Sequence, residues 1–309
     1  MTIVVFGSLN MDLVTQVPRL PQAGETLMGH QFFTTPGGKG ANQAVAAAKL
    51  GIPTAMVGRV GNDGFGQELL ASLQSYGVDT GAIAIDPEIH SGVAVITVAD
   101  TGENQILGVF GANDRVSTPE VQRLSPLLPT AKVLLLQLEV AIDAVRQAAQ
   151  AAHQAGVCVI LDPAPVPGET IEDLYPYVDI LVPNEVEASQ LTGIGVNSPE
   201  TAQQAAQQLQ ARGAQTVIVK LGAQGAFCLT PDGEFFVPAF PVTAIDSVAA
   251  GDAFAGGLAT AIVEGKALRD AVVWGSVAGA LATTRRGAQV AMADRTEFDA
   301  FLQTVSRAG

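Results

Sequence analysis

The chain has 309 residues, of which 48% are hydrophobic and 15% charged, a composition that fits a compact globular protein and excludes extensive disorder. Its formal net charge is −14, from 16 basic and 30 acidic residues, which argues against binding to nucleic acid or to an anionic membrane surface. The apolar runs are too short to span a bilayer, and no basic region precedes the first of them, so we expect neither a transmembrane segment nor a signal peptide.

Segments typical of strands and of helices alternate along most of the chain. The strand-like segments are continuous apolar runs, as expected for strands buried on both faces of a parallel sheet. They cover residues 3–7, 55–60, 133–139, 157–162, 179–184 and 216–222. The helix-like segments cover residues 41–50, 66–76, 142–155, 199–212, 251–264 and 268–284. This alternation predicts a doubly wound α/β core with a mostly parallel sheet flanked by helices.

Two regions interrupt this alternation, at residues 12–36 and 91–111. Each holds short β-like segments separated by turns that contain Gly or Pro, which is typical of antiparallel strands. Because the two regions are far apart in sequence, we expect them to pair in space as one small sheet that covers the active face as a lid. Since there is no repeat, low-complexity tract or linker, residues 1–309 are expected to form a single domain.

The cysteine and histidine residues indicate no metal site. Cys158 and Cys228 lie in the segments GVCVIL and GAFCLT, which are typical of buried strands. His30, His90 and His153 are isolated from one another, and no Cys/His spacing matches a zinc site. Two buried thiols favour a reducing compartment, so we expect a cytoplasmic protein.

Polar residues stand at the ends of most of the expected core strands. In open α/β sheets, ligands bind beyond the carboxyl ends of the strands, so the recurrence of polar side chains there predicts a binding site. Each residue taken singly is also consistent with an ordinary turn at the end of a strand. The residues are Asn10, Asp12, Glu139, Asp162, Asn184, Glu185, Glu187 and Lys220.

The segment TPGGKGANQAVAAAKLG, residues 35–51, places a glycine-rich loop before a strong helix-forming run. Gly38, Lys39, Gly40 and Asn42 lie where the loop becomes the helix, and the exposed backbone N–H groups there suit a phosphate or a sugar hydroxyl. The segment departs from the Walker phosphate loop because glycine, rather than serine or threonine, follows Lys39. A tight turn that only starts a helix is the structural alternative.

The segment VAAGDAFAGG, residues 248–257, carries a single carboxylate, Asp252, among small side chains. Small residues allow a ligand to approach the backbone, and N–H groups at the start of a helix bind anions. We expect Asp252 to accept a proton from a substrate hydroxyl while the N–H groups of Ala250 and Gly251 face the transferred phosphoryl group. The helix N-terminus is expected to lower the pKa of Asp252. An aspartate that only caps the helix is the alternative.

Several segments together resemble the ribokinase-like carbohydrate kinase family over nearly the whole chain. In chain order they are GSLNMD, PGGKGANQAVAAAKLG, QLE, DPAP, PNEVEA, KLGAQG, DSVAAGDAF and TRRGAQ. Within that family, GGKGANQA is more similar to kinases of ribose than to fructokinase-like or nucleoside kinases. The resemblance implies ATP-dependent phosphorylation of D-ribose at O5 in ribose catabolism, with Mg²⁺ bound together with ATP.

The resemblance also implies roles for individual residues. Asp252 would be the catalytic base, and Ala250 and Gly251 would form the anion hole. The sugar would bind to Asn10, Asp12, Gly38, Lys39, Gly40, Asn42, Glu139 and Asp252. ATP would lie along Asn184, Lys220, Gly222, Gly225, Gly251 and Ser276, and Mg²⁺ would be held through Asn184 and Glu187. An activating K⁺ would be bound by Asp246 and by carbonyl groups of Val248, Ala282, Arg285 and Gly287. Two lids would pack together in a homodimer.

Four positions depart from the pattern of the family, and one of them, Ser247 in place of the usual threonine, should change little. Ala253 and Ala255 stand where relatives often carry hydroxyl or amide side chains, which predicts looser contacts on the nucleotide side. Ala291 replaces a residue whose oxygen commonly completes the potassium shell, which predicts a weaker dependence on K⁺.

Other functions remain open from the sequence. A kinase of the same fold could act on 2-deoxyribose, fructose or a nucleoside such as adenosine, and a catalytically silent member could act as a binding or scaffold protein. A dinucleotide-dependent oxidoreductase is disfavoured, because the segment GRVGNDGFG lacks the G-x-G-x-x-G spacing after a first strand.

Overall fold

The computed structural model describes residues 2–306, so residue 1 and residues 307–309 of the expected domain lie outside the described residues. In chain order the strands are β1 (Thr2–Phe6), β2 (Asn10–Val17), β3 (Gln31–Gly37), β4 (Thr54–Gly61), β5 (Asp79–Asp86), β6 (Gly92–Ala99), β7 (Asn104–Val109), β8 (Ala131–Leu136), β9 (Cys158–Leu161), β10 (Ile180–Leu181), β11 (Thr216–Lys220), β12 (Gly225–Thr230) and β13 (Gly233–Pro238). The α-helices are α1 (Lys39–Lys49), α2 (Gly64–Ser75), α3 (Thr118–Leu124), α4 (Ile142–Gln154), α5 (Glu185–Thr192), α6 (Pro199–Ala211), α7 (Ala250–Val263), α8 (Leu268–Ala282) and α9 (Arg295–Ser306).

The large sheet has nine strands in the order β13-β12-β11-β10-β9-β8-β1-β4-β5. In this order, the seven neighbouring strands that begin with β11 and end with β5 are parallel to one another. β12 and β13 extend the β11 edge as antiparallel strands. Ile3 and Val5 of β1 belong to the apolar core on one face, whereas Val4 and Phe6 belong to the core on the other. The predicted fold class, an α/β core with a mostly parallel sheet buried on both faces and a smaller second sheet, is therefore confirmed.

The small residues of α7 determine how closely its neighbours pack. A Cβ on Gly256 would lie 2.5 Å from the Cβ of Ala46 on α1, and a Cβ on Gly257 would lie 2.8 Å from the carbonyl oxygen of Trp274 on α8. This part of the alanine and glycine run therefore packs helix against helix instead of exposing backbone to a ligand. The close packing of α7 on α1 brings the start of α7 next to the start of α1, where the candidate site lies.

The small sheet has the order β3-β2-β6-β7. The outer pairs are antiparallel as predicted, but the central pair is parallel, with Asn10 of β2 opposite Gly92 of β6. The prediction of a wholly antiparallel small sheet is wrong because β2 and β6 follow β1 and β5, two parallel strands of the large sheet that end at the same edge. β2 of the small sheet begins at Asn10, two residues before the predicted lid region at residues 12–36.

Several elements were not predicted from the sequence: β5, β13, α3, α5 and α9. The strand inferred around Cys228 is β12, and this thiol is fully buried. Burial raises the pKa of the Cys228 thiol to about 12, so the thiol is protonated and unreactive at neutral pH. Within residues 2–306, no helix combines the length and the apolar character needed to cross a membrane.

Candidate active site

The GGKG loop forms a tight turn into α1. Gly38 has a φ of +90°, and a Cβ there would lie 2.6 Å from the backbone nitrogen of Asn10, so the turn requires glycine. Glu139, shortly after β8, accepts a hydrogen bond from the Lys39 N–H at 3.2 Å. The same oxygen accepts from the Ser8 hydroxyl at 2.6 Å and from the Asn10 amide at 3.3 Å. Glu139 therefore holds the start of α1 against the segment between β1 and β2.

Asp252 lies in the first turn of α7, and only 5% of its surface is exposed. Ala249, just before the helix, has a φ of +57°, which is unusual for a residue other than glycine. Two amides of α1 donate to the carboxylate, Asn42 Nδ2 to Oδ2 at 3.0 Å and Gln43 Nε2 to Oδ1 at 3.2 Å. Both carboxylate oxygens are thus held by neighbouring residues of one helix.

Burial raises the pKa of Asp252 to about 6. The ammonium of Lys39 and the amides of Asn42 and Gln43 oppose this shift, whereas the Asp162 carboxylate adds to it. The expectation that the helix N-terminus lowers this pKa is wrong, because desolvation of the carboxylate outweighs the electrostatic effect of the helix end. A carboxylate with a pKa near 6 remains mostly ionised at pH 7 and is a better proton acceptor than an exposed one.

Two lysines bring positive charge to these carboxylates. Lys220, the last residue of β11, pairs with Asp162 after β9, with 3.0 Å between Nζ and Oδ1. A Cβ on Gly251 would lie 3.3 Å from Lys220 Nζ, so this ammonium lies beside the backbone at the start of α7. Burial alone would lower the pKa of Lys39, but the surrounding carboxylates, Asp252 foremost, raise it above its usual value. An anionic group approaching the start of α7 would therefore meet positive charge.

The small sheet contributes Asn10 and Asp12 from β2. A Cβ on Gly37 would lie 2.5 Å from Asp12 Oδ2, which places this carboxyl beside the glycine loop. The Asn10 side-chain oxygen accepts from the Asn113 amide at 2.8 Å. Burial, followed by the nearby charge of Glu139, raises the pKa of Asp12 to about 7. The structure thus gathers the predicted sugar-binding side chains Asn10, Asp12, Lys39, Asn42, Glu139 and Asp252 around the start of α1.

Asn184 and Glu187 form a capping box at the start of α5. Asn184 Oδ1 accepts from the Glu187 N–H at 2.8 Å, and Glu187 Oε2 accepts from the Asn184 N–H at 2.7 Å. A β-bridge joins Asn184 to Lys220, so this helix begins beside the lysine. Burial and the nearby Asp162 raise the pKa of Glu187. The Asn-x-x-Glu pattern therefore has a structural role in starting a helix at the edge of the site.

The donor groups at this helix start also fit Mg²⁺. Magnesium prefers oxygen ligands, and proteins commonly hold it with one or two carboxylates, several waters and substrate phosphates. The oxygens of Glu187 have lone pairs beyond those that accept from Asn184. Across residues 2–306, no three or more His, Cys, Asp or Glu side chains are grouped so that they could hold a metal by themselves, and magnesium held partly by phosphates needs no such group.

Three of the predicted nucleotide-side residues lie outside the hydrogen-bonded cluster around Asp252. Gly222 is in the turn between β11 and β12, and Gly225 is the first residue of β12, where a Cβ would clash with the carbonyl of Val237. Ser276 lies on α8, and its hydroxyl donates to the carbonyl of Val272 at 2.9 Å within the same helix. In the described part of the chain, no hydrogen bond joins Gly222, Gly225 or Ser276 to the cluster around Asp252.

Asp246 connects the loop before α7 to the loop after α8. Its Oδ1 accepts from the Val248 N–H at 3.0 Å, and its Oδ2 accepts from the Gly287 N–H at 2.9 Å. Arg285 directs its guanidinium towards Glu297 of α9, at 2.6 Å, which leaves only its carbonyl for the predicted role. The predicted potassium ligands Asp246, Val248 and Gly287 therefore come together, and Ala282, the last residue of α8, precedes the same loop.

Two glutamines not singled out from the sequence belong to this site. Gln43 Nε2 donates to Asp162 Oδ2 at 3.1 Å as well as to Asp252, and Gln137 Nε2 donates to Gln43 Oε1 at 2.7 Å. Gln43 lies in the segment GGKGANQA and Gln137 in QLE, and both are wholly buried. A polar side chain inside a run of apolar or small residues is the signal that could have identified them.

Comparison with known proteins agrees with this architecture. The model of the pfkB family carbohydrate kinases matches residues 1–295. The ribokinase of Haemophilus influenzae is 39% identical over 303 residues, which cover 98% of each chain. The deoxyribokinase of Salmonella typhi is 37% identical over 302 residues, which cover 98% of this chain and 99% of the relative. A solved structure of Arabidopsis thaliana ribokinase complexed with ribose and ATP is similar, with a TM-score of 0.90 at 33% identity, covering 97% of this chain and 98% of that one. The resemblance inferred from the motifs is confirmed, and the chain belongs to the pfkB family of carbohydrate kinases.

Proposed function

We propose that this kinase transfers the γ-phosphoryl group of ATP to O5 of D-ribose, giving D-ribose 5-phosphate and ADP in ribose catabolism in the cytoplasm. The observation that carries the proposal is the buried carboxylate of Asp252 at the start of α7. It accepts a hydrogen bond from Asn42, and the positive charge of Lys39 on α1 favours its ionised form. The similar ribokinase of Haemophilus influenzae and the Arabidopsis thaliana structure with ribose and ATP support this choice of substrates.

Asp252 acts as the general base. It takes the proton of the O5 hydroxyl, the oxygen attacks the γ-phosphorus of ATP, and the bond from that phosphorus to the β–γ bridging oxygen breaks to release ADP. The other sugar hydroxyls bind to Asn10, Asp12, Gly38, Lys39, Gly40, Asn42 and Glu139. A polar cluster of carboxylates and amides of this kind suits a ligand that carries hydroxyls on every side.

The start of α7 receives the transferred phosphoryl group. The N–H of Ala250 donates to the carbonyl of Ser247 at 3.3 Å, a long contact that a phosphoryl oxygen would replace. The N–H of Gly251, beside Lys220 Nζ, completes this anion hole. The remaining contacts to ATP come from Asn184, Lys220, Gly222, Gly225 and Ser276.

Two cations belong to the proposal. Asn184 and Glu187 would hold Mg²⁺, which neutralises the phosphate charge of ATP when bound. Asp246, with the carbonyls of Val248, Ala282, Arg285 and Gly287, would hold K⁺, which orders the loop before α7. Ala291 is buried and offers no side-chain oxygen, so we expect activation by K⁺ to be modest.

We also propose that the small sheet closes as a lid and joins a second copy of the chain in a homodimer. Several large apolar side chains of this sheet are exposed in the single chain, among them Phe32 at 62%, Ile106 at 57% and Leu107 at 63%. A patch of this kind on a soluble protein is typical of an interaction surface. A lid that closes over the sugar would exclude water from the reacting phosphoryl group.

The test is ADP release from ATP and Mg²⁺ with ribose, 2-deoxyribose, fructose, adenosine or buffer, with and without K⁺. We expect ribose to give the highest kcat/KM and buffer to give little ADP. If folded protein releases no ADP with any acceptor, the kinase proposal is wrong and a silent binding protein becomes the better account. If 2-deoxyribose is preferred, the similarity to the deoxyribokinase of Salmonella typhi identifies the substrate instead.

A further inference from the structure

Gln43 bridges two carboxylates of the site from the buried face of α1. Its Nε2 lies 3.2 Å from Asp252 Oδ1 and 3.1 Å from Asp162 Oδ2. An amide nitrogen carries two hydrogens, so each carboxylate can receive one of them. Asp162 is in turn paired with Lys220 at 3.0 Å, so Gln43 links the carboxylate at the start of α7 to an ion pair between β9 and β11.

Gln137 determines which way the amide of Gln43 points. Gln137 Nε2 donates to Gln43 Oε1 at 2.7 Å, and the reverse orientation of Gln43 would direct its oxygen at both carboxylates. Within residues 2–306, the side-chain oxygen of Gln137 is one of the few buried polar atoms that lack a partner. A buried oxygen without a donor costs free energy, so an apolar residue would be preferred if Gln137 only filled space.

The charged groups that act on Asp252 come from three elements, Lys39 of α1, Asp162 after β9 and Asp12 of β2. Lys39 favours the ionised carboxylate, whereas Asp162 and Asp12 disfavour it, and the amides of Asn42 and Gln43 add to the effect of Lys39. We propose that Gln43 is a positioning residue that keeps Asp252 ionised and aimed at the substrate hydroxyl, with Gln137 fixing the amide of Gln43; this rests on the proposed role of Asp252 as the base.

Loss of the Gln43 amide has a predictable sign. A donor to the ionised form of a carboxylate stabilises that form, so removing the donor raises the pKa of the carboxylate. The Asp252 carboxylate would then be protonated over a wider pH range, and kcat/KM would fall at a higher pH than in the wild type. A side chain that acted only through packing would leave this pH dependence unchanged.

The experiment compares Gln43→Met, which keeps length and volume without the donor, with Gln43→Glu, which keeps the shape and adds a carboxyl. We expect Gln43→Met to move the acidic limb of kcat/KM for ribose upward by about one pH unit, and therefore to lower kcat/KM about tenfold at pH 5 and by less than about twofold at pH 7.5. Gln43→Glu should move the limb further, and Gln137→Met should move it less. Gln203→Met is the matched control, since Gln203 donates to Glu234 at 2.8 Å on the surface and should behave like the wild type.

The outcomes separate the positioning role from the role of the base. An unchanged acidic limb in Gln43→Met, or wild-type kinetics in Gln43→Glu, would overturn the proposal for Gln43. If Asp252→Asn retains turnover, the base itself is misassigned. If Asp252→Asn is inactive while Gln43→Met keeps the wild-type limb, only the positioning proposal fails. Thermal melts establish that each variant is folded, and Gln43→Met decides alone if Gln43→Glu does not fold.

Discussion

Asp252 and Asp12 approach the same site from two regions, Asp252 from α7 beside the large sheet and Asp12 from the small sheet. Burial raises both pKa values, to about 6 and about 7 respectively. Asp252 receives two amide donors and lies near Lys39, whereas no group among the described residues donates a hydrogen bond to the Asp12 carboxyl. The difference indicates that the large-sheet side of the site is organised before ligand arrives, while the small-sheet side offers a carboxyl that a ligand can satisfy.

Substitution of the two aspartates should separate their roles most strongly. We expect Asp252→Asn to lower kcat about 10²- to 10⁴-fold with the fold intact, because the general base is lost. The matched variant Asp12→Asn should raise KM for ribose more than it lowers kcat. Steady-state ADP release with ribose measures both effects. A kcat for Asp252→Asn within threefold of the wild type would show that Asp252 is not the base.

The amide and the ammonium at the start of α1 should serve the sugar rather than the nucleotide. We expect Lys39→Ala or Asn42→Ala to weaken ribose binding about tenfold or more, because each removes a polar contact to a buried ligand or a charge among carboxylates. ATP affinity should change much less. Calorimetric titration of each ligand checks the difference, and an equal loss for ribose and ATP would mean that the loop is misassigned.

The fall of kcat/KM at acidic pH should report the protonation of Asp252. Its folded-state pKa is about 6, and the base works only when ionised, so kcat/KM should fall about tenfold per pH unit below pH 6. The limb should remain near pH 6 in Asp12→Asn, since Asp12 is not the proton acceptor. If the acidic limb of kcat/KM disappears in Asp12→Asn, then Asp12 rather than Asp252 is the proton acceptor.

Asp12 should also lower the stability of the free protein at neutral and alkaline pH. Its pKa is about 7 in the folded chain and about 4 in an unfolded one. The folded state therefore holds a proton that the unfolded state has lost, and the stability from this group falls as pH rises from 4 to 7. We expect Asp12→Asn to stabilise the protein at pH 8 by on the order of 1–3 kcal/mol, and by little below pH 4. Thermal melts at both pH values measure this difference, and equal gains at both would contradict it.

Two strands of the small sheet, β3 and β7, expose large apolar side chains, among them Phe32, Ile106 and Leu107. We expect Leu107→Asp to shift the protein from dimer to monomer, because a charge would be buried at the joined lids. Val186→Asp on α5 is the matched control, as Val186 is 62% exposed outside the small sheet. Light scattering after size exclusion measures the mass, and a wild-type monomer would contradict the proposed homodimer.

Most of the core could be predicted because its signals are local. β1 and β8 each contain a run of four apolar residues, and these residues are buried on both faces of the sheet. β5 was missed because glycine and terminal aspartates weaken its apolar pattern. α5 was missed because it has only eight residues, and its Asn184–Glu187 spacing matches a capping box as well as the nucleotide-side motif of the family.

The candidate site could be predicted only where its residues stand in a distinctive segment. Gln137 and Gln43 are 94 residues apart, and nothing in either segment shows that their amides meet. The predicted direction of the Asp252 pKa shift was wrong for the same reason. The local segment shows that a helix starts there, but it does not show that α1 buries the carboxylate. Likewise, the parallel pairing of β2 and β6 depends on where β1 and β5 end, which is a property of the whole sheet.

The central claim, that Asp252 directs phosphoryl transfer to the primary hydroxyl of ribose, is tested most directly by the position of the phosphate in the product. The measurement is ³¹P NMR with proton coupling on the reaction of the wild-type enzyme with ribose, ATP and Mg²⁺. The account predicts a monophosphate coupled to the two protons on C5, formed together with ADP. A phosphate on C1, or ADP released with free phosphate and unchanged ribose, would contradict it.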